Sequence, residues 1–276
     1  MAEATASRVQ RYILEGGDEE LRRLLSLSEV TAGRARQAFS RAGVSDGWAA
    51  IDCGCGPLGG LAVLAEMVGP AGRVVGVDLS ELAVMRARSV AAALGLGNVE
   101  VVAGDIHQLD PAAVGGPFDL AFTRLFLMHQ ADPVHTLSAI ARLIRPGGWI
   151  IVHEPLRCPP PRSHPPLDAL ETYWDMLHGV LERAGVPAGT VENLPAAARA
   201  AGLHVAWADG FFVLGGPQLG FEIHAGTLAA FTGAAVQLGI AADTIDGLIG
   251  SFRAGQAGGY QWVSTPFFMD LALRRP

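Results

Sequence analysis

From residue 48 onward, short unbroken apolar runs alternate with longer stretches in which apolar residues recur every three or four positions. The runs fall at 49–52, 73–77, 99–103, 118–122 and 149–153. Between them, 61–68, 81–94 and 133–144 carry the helical period. They are closed by Gly69-Pro70, by Gly95 and by the turn Pro146-Gly147-Gly148. Runs rich in Val, Ile and Ala without alternation are what strands buried on both faces require. Strand and helix repeating in units of about 25 residues predict an α/β fold, a doubly wound and mostly parallel sheet with helices on both faces.

The flanks read differently. Residues 19–43 predict a helix, with Leu21, Leu24, Leu25, Val30, Ala35 and Phe39 spaced between charges. Beyond residue 155 the regularity fades, and the prolines crowded between Cys158 and Pro166 exclude a helix or a central strand there. Helices are expected at 173–184, 194–201, 219–238 and 243–252, and strands at 204–213 and 262–273. No repeat and no separate second domain is visible. The expected organisation is an N-terminal helical cap over 1–47 and one domain over 48–276, with additions around 155–200 and 215–255.

Charge and cysteine content narrow the partners. The net charge is −7, with 20 basic residues that form no cluster, so nucleic acid is not an expected partner. Cys53, Cys55 and Cys158 do not make a disulfide framework, and the Cys53/Cys55 pair lacks a second pair at ligand spacing. No apolar run reaches the roughly 18 residues that span a bilayer, and residues 1–12 lack the apolar stretch of a signal peptide. The expectation is a cytoplasmic chain with no membrane partner.

The chemistry gathers at the strand ends. Gly54, Gly56 and Gly59 form G-x-G-x-x-G between a strand and a helix, and Asp78 follows about 20 residues later, where ribose hydroxyls are held in nucleotide-binding folds. In such sheets ligands sit outside the carboxyl ends of the strands, where Asp52, Asp78, Asp105 and Arg124 all fall. NAD and S-adenosylmethionine both suit the glycine loop, and charge separates them. A carboxylate at Asp52, at the lip of the first strand, opposes a diphosphate but attracts a ligand carrying a sulfonium and an ammonium. Asp105 can accept from the amine of adenine.

Several segments then point to a family. Ala50-Ile51-Asp52-Cys53-Gly54-Cys55-Gly56 resembles the first motif of class I S-adenosylmethionine-dependent methyltransferases. Gly76-Val77-Asp78-Leu79-Ser80 resembles the second and Ala103-Gly104-Asp105-Ile106 the third. Phe118-Asp119-Leu120 through Arg124-Leu125, His129-Gln130-Ala131-Asp132-Pro133, and Leu143-Ile144-Arg145-Pro146-Gly147-Gly148 are similar to the segments that follow. The glycine loop departs from the family, with Leu58 where a glycine is usual and Gly59 one residue later. The resemblance implies a seven-stranded sheet with an antiparallel last strand within 260–273. It implies a helical cap in which Tyr12 and the 19–25 helix close over the cofactor. The cofactor is then S-adenosylmethionine, leaving as S-adenosylhomocysteine. The residues implied to hold it are Tyr12, Asp52, Gly54, Cys55, Gly56, Asp78, Leu79, Gly104, Asp105, Ile106, Arg124 and Leu125.

Other side chains carry two readings each. His129 is either a packed residue before the next helix or a general base. His153 at the end of strand five is a candidate base, and Glu154 either meets substrate or binds the proline-rich loop. Trp174 and His178 sit on a helix in the segment where this family builds substrate pockets, though such aromatic groups also make cores. No metal is expected, because Thr123 and Arg124 stand where metal-using relatives place carboxylates. The 219–238 stretch suits a lid or the surface of a homodimer. The expected function is O-methylation of a small hydroxylated secondary metabolite. The alternatives are an S-adenosylmethionine-binding protein that catalyses a rearrangement or cyclisation, and an NAD-dependent oxidoreductase.

Overall fold

The unbroken apolar runs become the middle of one sheet in the computed structural model, which describes residues 18–276. Helix α1 (Asp18–Ala42) leads into β1 (Ala49–Cys53), followed by α2 (Leu61–Val68), β2 (Arg73–Asp78), α3 (Glu81–Ala93), β3 (Val99–Ala103), β4 (Phe118–Arg124), α4 (Pro133–Leu143) and β5 (Ile144–Pro155). Then come β6 (Ser163–His164), α5 (Ala169–Arg183), α6 (Leu194–Ala200), β7 (His204–Phe211), β8 (Leu214–Gly215), α7 (Pro217–Gln237), α8 (Ala242–Gln256), β9 (Trp262–Ser264) and β10 (Phe268–Arg274). The seven-stranded sheet has the order β3-β2-β1-β4-β5-β10-β7. The chain winds outward from β1 to β3 and returns to β4 on the other side, so the topological switch lies between the tips of β1 and β4.

Register aligns the polar tips. Asp52 lies beside Gly76 and Phe122, Asp78 beside Ala103, and Arg124 beside His153, all in parallel pairs. β10 runs against β5: Arg275 pairs with Gly147 and Gly148 at one end, while Leu156 donates to the Phe267 carbonyl (2.7 Å) at the other. The expected strand at 262–273 is in fact two strands. Pro266, which has no N–H to give a ladder, separates β9 from β10, and β9 joins a small sheet of order β6-β9-β8.

The described chain divides into two compact units. The first comprises Ser28–Glu154, Thr190–Gly210 and Met269–Pro276, and holds nearly all of the large sheet. Its core packs Phe39 of α1 edge-on against Phe122 of β4 (5.1 Å), with Ile51, Leu61, Leu64 and Leu120 fully enclosed. Helix α4 starts where the sequence sets it: Pro133 occupies the first turn and the Asp132 side chain accepts from the His135 N–H at 2.9 Å. Asp132→Ala should therefore cost about 1 kcal/mol in a urea titration, and an unchanged midpoint would show that the cap contributes nothing.

The second unit comprises the described chain up to Leu27, Pro155–Gly189 and Phe211–Phe268. Its interior gathers Tyr173, Phe221, His224 and Phe252. The His224 ring donates to the Ser264 carbonyl (2.8 Å), which leaves its other nitrogen to accept from the Tyr173 hydroxyl (2.6 Å). Burial pushes the His224 pKa down to about 4, so the ring is neutral and this tautomer is fixed. Helix α7 is long and apolar enough to cross a membrane by length and composition. Phe221, Ile223, Leu228, Phe231 and Ala235 along it are nevertheless buried. That stretch supplies part of the core of its own unit.

Candidate active site

The glycine loop is built between the tips of β1 and β2. Gly54 (φ +71°) donates to the Val77 carbonyl at 2.8 Å and Cys55 donates to the same oxygen at 3.0 Å. A side chain on Gly54 would drive into the Phe126 ring, its Cβ only 2.8 Å from Cγ. Gly56 (φ +53°) is different: a Cβ there would meet nothing within 4 Å. That is the conformation and the clearance that let a ligand approach backbone closely. Cys55 and Cys53 are buried free thiols, and burial holds both pKa values well above the usual thiol range.

Asp52 does not stand at the lip of its strand, as expected, but beneath the loop. Only 1% of it is exposed, and its carboxylate accepts from the Gly60 N–H (2.5 Å) at the amino end of α2. Burial pushes its pKa up to about 7, against the Gly60 bond and the nearby Arg124 charge. A helix amino end is where this kind of fold receives a phosphate. Here a carboxylate of the chain occupies it.

Asp78, at the end of β2, accepts from Gly56 N–H and Ser80 N–H, both at 2.9 Å, one on each oxygen. The Leu79 N–H also bears on this carboxylate, which keeps acceptor capacity for a further donor. Burial is the main influence on Asp78 and raises its pKa. The next residue, Leu79, is one of the few large apolar side chains left exposed (55%). Gly104 donates to the Asp78 carbonyl at 2.9 Å. Asp105 is held by His107, through the backbone N–H (3.0 Å) and the ring Nδ1 (2.9 Å), and by the Gln108 amide (3.2 Å). Burial pushes the Asp105 pKa up, but the bonds from His107 and Gln108 outweigh it and hold the carboxyl below its usual range. Ile106 is buried. His107, which sequence reasoning missed, reaches on to the Thr136 hydroxyl (3.0 Å) and stacks on His135.

At the tip of β4 the Arg124 guanidinium donates to Thr31 (2.7 Å) and Ser28 (2.5 Å) of α1 and to the Gly59 carbonyl (3.2 Å). Sequence reasoning also missed Ser28 and Thr31, whose only signal was two hydroxyls on the apolar face of a helix. Leu125 is the one non-glycine with positive φ (+55°) among the described residues. Glu154, fully buried, accepts from the N–H groups of Phe126 (2.8 Å), Leu127 (2.8 Å) and Met128 (3.3 Å). Its pKa is pushed up to about 7 by burial, which those three bonds and Arg124 oppose. His129 ends the same turn, half-buried. His153 is sealed: none of it is exposed, its ring meets Phe122 edge-on (5.2 Å), and Asp270 lies 3.4 Å away. Burial lowers its pKa.

Asp52, the glycine loop, Asp78, Asp105, Arg124, Leu125, His129, His153 and Glu154 all belong to the first unit. Trp174 and His178 belong to the second. Trp174 is buried with its N–H on the Arg157 carbonyl (2.8 Å), and His178 packs on it at 4.7 Å. Tyr12 lies outside the described residues.

The arrangement fits S-adenosylmethionine better than a dinucleotide. Acids lie within two residues of the ends of three adjacent strands, the backbone of Gly56 faces open space, and the amino end of α2 already holds a carboxylate. Comparison with known proteins agrees. A family described as a methyltransferase domain matches residues 44–183, about half of the chain. Nocamycin O-methyltransferase of Saccharothrix syringae is 40% identical over 111 residues, which are 40% of this chain and 38% of that protein. The structure of geranyl diphosphate methyltransferase in complex with S-adenosylmethionine superposes with a TM-score of 0.53 at 15% identity, over 95% of this chain and 92% of that one. The [4+2]-cyclase SpnF gives 0.53 at 18%, over 88% and 81%. The chain spans about half or less of the length of the first curated relatives it matches. It belongs to the methyltransferase-domain family, and its cofactor is S-adenosylmethionine. The NAD reading, which shared the glycine loop, is overturned with that assignment.

Proposed function

We propose that the chain transfers a methyl group from S-adenosylmethionine to an oxygen of a small hydroxylated molecule and releases S-adenosylhomocysteine. The observation that carries this reading is the Asp52 carboxylate at the amino end of α2, beneath a loop whose Gly56 face is open. That combination favours a cationic nucleoside over a phosphate. When bound, the cofactor supplies an electrophilic methyl group, which leaves alignment and water exclusion to the protein. In this reading Asp78 receives the ribose hydroxyls on its spare lone pairs, and Asp105 receives the adenine amine. Leu79 and Ile106 flank the base. Arg124 acts from beneath, tying α1 to the glycine loop through Ser28, Thr31 and Gly59.

His129, half-buried on the turn after β4, is the side chain we put forward to take the hydroxyl proton. His153 is left out of the chemistry because an enclosed ring cannot reach an acceptor. Trp174 is read as core, since its N–H is used within its own unit, and His178 stays as the substrate contact proposed there. Oxygen as acceptor, and a place in secondary metabolism, are supported by the nocamycin relative and the apolar composition. A cytoplasmic setting and a small-molecule partner are part of the same proposal.

Because a cyclase shares this fold, the test must read products. The chain is incubated with methyl-labelled S-adenosylmethionine and a panel of phenols, enols, alcohols and amines, and products are followed by mass spectrometry. Label on oxygen with equimolar S-adenosylhomocysteine is the expected result. Label confined to amines would move the acceptor atom. An acceptor converted without any S-adenosylhomocysteine would replace methyl transfer by a cofactor-assisted rearrangement.

A further inference from the structure

The turn that leaves β4 is held in an unusual way. Leu125 adopts a left-handed backbone that a branched side chain disfavours. Its N–H donates to the His153 carbonyl at 3.2 Å, and the next three N–H groups all donate to the Glu154 carboxylate. Four consecutive amides are thus taken by two consecutive residues at the end of β5. The sheet does not need this grip for its register, since β4 and β5 already pair from Leu120 beside Trp149 to Arg124 beside His153. A carboxylate suits the place because it only accepts; a protonated or amide group would turn a donor toward the amides that donate to it.

We propose that Glu154 is a positioning residue for the cofactor loop, clamping the turn after β4 so that Phe126 fixes the course of the backbone at Gly54. Phe126 is the first residue of the clamp, and its ring fills the space where Gly54 lacks a side chain. Gly54 and Cys55 hang from the Val77 carbonyl, and Gly56 donates to Asp78. The shape of the clamped turn is thereby passed, contact by contact, to the carboxylate proposed to hold the ribose. Glu154 is itself fully enclosed, so it acts through these neighbours and not by touching the ligand. The inference rests on the cofactor assignment and is independent of which acceptor is methylated.

The test is calorimetric binding of S-adenosylhomocysteine at pH 8 to the full chain and to Glu154→Gln, Phe126→Ala and the double variant. The wild type is expected to bind, Glu154→Gln to bind roughly five- to tenfold more weakly, and Phe126→Ala to weaken binding too. The double variant is expected to fall within about twofold of the weaker single one, because the two residues act in series. Wild-type-like affinity for Glu154→Gln, or effects that multiply in the double variant, would overturn the proposal. Amide exchange on the unliganded wild type keeps the question open to test even where Glu154→Gln fails to fold. The amides of 126–128 should be protected before any ligand is added, and protection that arises only with S-adenosylhomocysteine would show that no preformed clamp exists. If the wild type failed to bind, the cofactor assignment would fall and this proposal with it. Binding by the wild type together with exchangeable amides removes the clamp alone.

Discussion

Replacing Asp78 with alanine is expected to weaken S-adenosylhomocysteine binding by about 1.5–3 kcal/mol, roughly ten- to 150-fold in Kd. Two effects combine. The proposed bonds to the ribose hydroxyls are charge-assisted and are lost outright. The Gly56 and Ser80 N–H groups, each 2.9 Å from an Asp78 oxygen, also lose their acceptor, and Gly56 is the residue whose open face the ligand approaches. Asp78→Asn separates the two: its carbonyl can still satisfy one backbone donor, but its amide cannot satisfy the other, so its loss should be intermediate. Calorimetry on both variants checks this, and an unchanged Kd for Asp78→Ala would remove the ribose from β2.

The parts of this fold that were legible in the sequence are those where burial leaves a periodic or unbroken signature. β1 to β4 and the helices between them fall within about two residues of the apolar runs and their glycine stops. The small sheet of β6, β8 and β9 was not legible, because strands of two or three residues have no period to detect. The interleaved units were equally hidden. Each is assembled from three separated segments, with no linker in the composition to mark the crossings.

At the site, sequence told charge but not depth. Asp78 and the glycines follow from residue type alone, since their work is done by backbone freedom and one carboxylate. Asp52 was rightly an acid by a glycine loop, yet its bond to Gly60 and its enclosure come from tertiary packing. Arg124 finds its partners 93 and 96 residues upstream, a distance no local pattern spans. His153 and Glu154 look alike as polar residues at a strand end. Alternation along β5 sends them to opposite faces, His153 toward Phe122 and Asp270, and Glu154 under the turn after β4. The left-handed Leu125 that makes this grip worth having has no sequence signal at all.

Affinity for S-adenosylmethionine should fall steeply as pH drops below about 7, and Asp52 is the proposed cause. In the unliganded chain burial holds its pKa at about 7, so near that pH the carboxyl exchanges a proton with solvent. A bound sulfonium and ammonium nearby stabilise the ionised form, and an opposite charge at close range lowers a carboxyl pKa by roughly one to three units. Binding must therefore expel the proton from any molecule that carries one. The sign follows from linkage: the complex binds fewer protons than the free chain, so affinity is full above about 7. It is lost progressively below, by up to tenfold per unit, until the lower pKa of the complex is reached. The total loss between pH 8 and 5 is then roughly ten- to 100-fold. Asp78, whose pKa burial also raises, works in the same direction, and Glu154 titrates in the same window. Asp52→Asn assigns the effect, because the amide can still accept from Gly60 while carrying no charge. Its binding should be weaker at pH 8 and should fall less steeply toward pH 6 than that of the wild type, the remaining slope coming from Asp78 and Glu154. S-adenosylhomocysteine, which lacks the sulfonium charge, should show a shallower dependence in the wild type. A wild-type Kd for S-adenosylmethionine that stayed constant from pH 8 to 5 would mean that the carboxylate under the glycine loop does not sense the cofactor's charge.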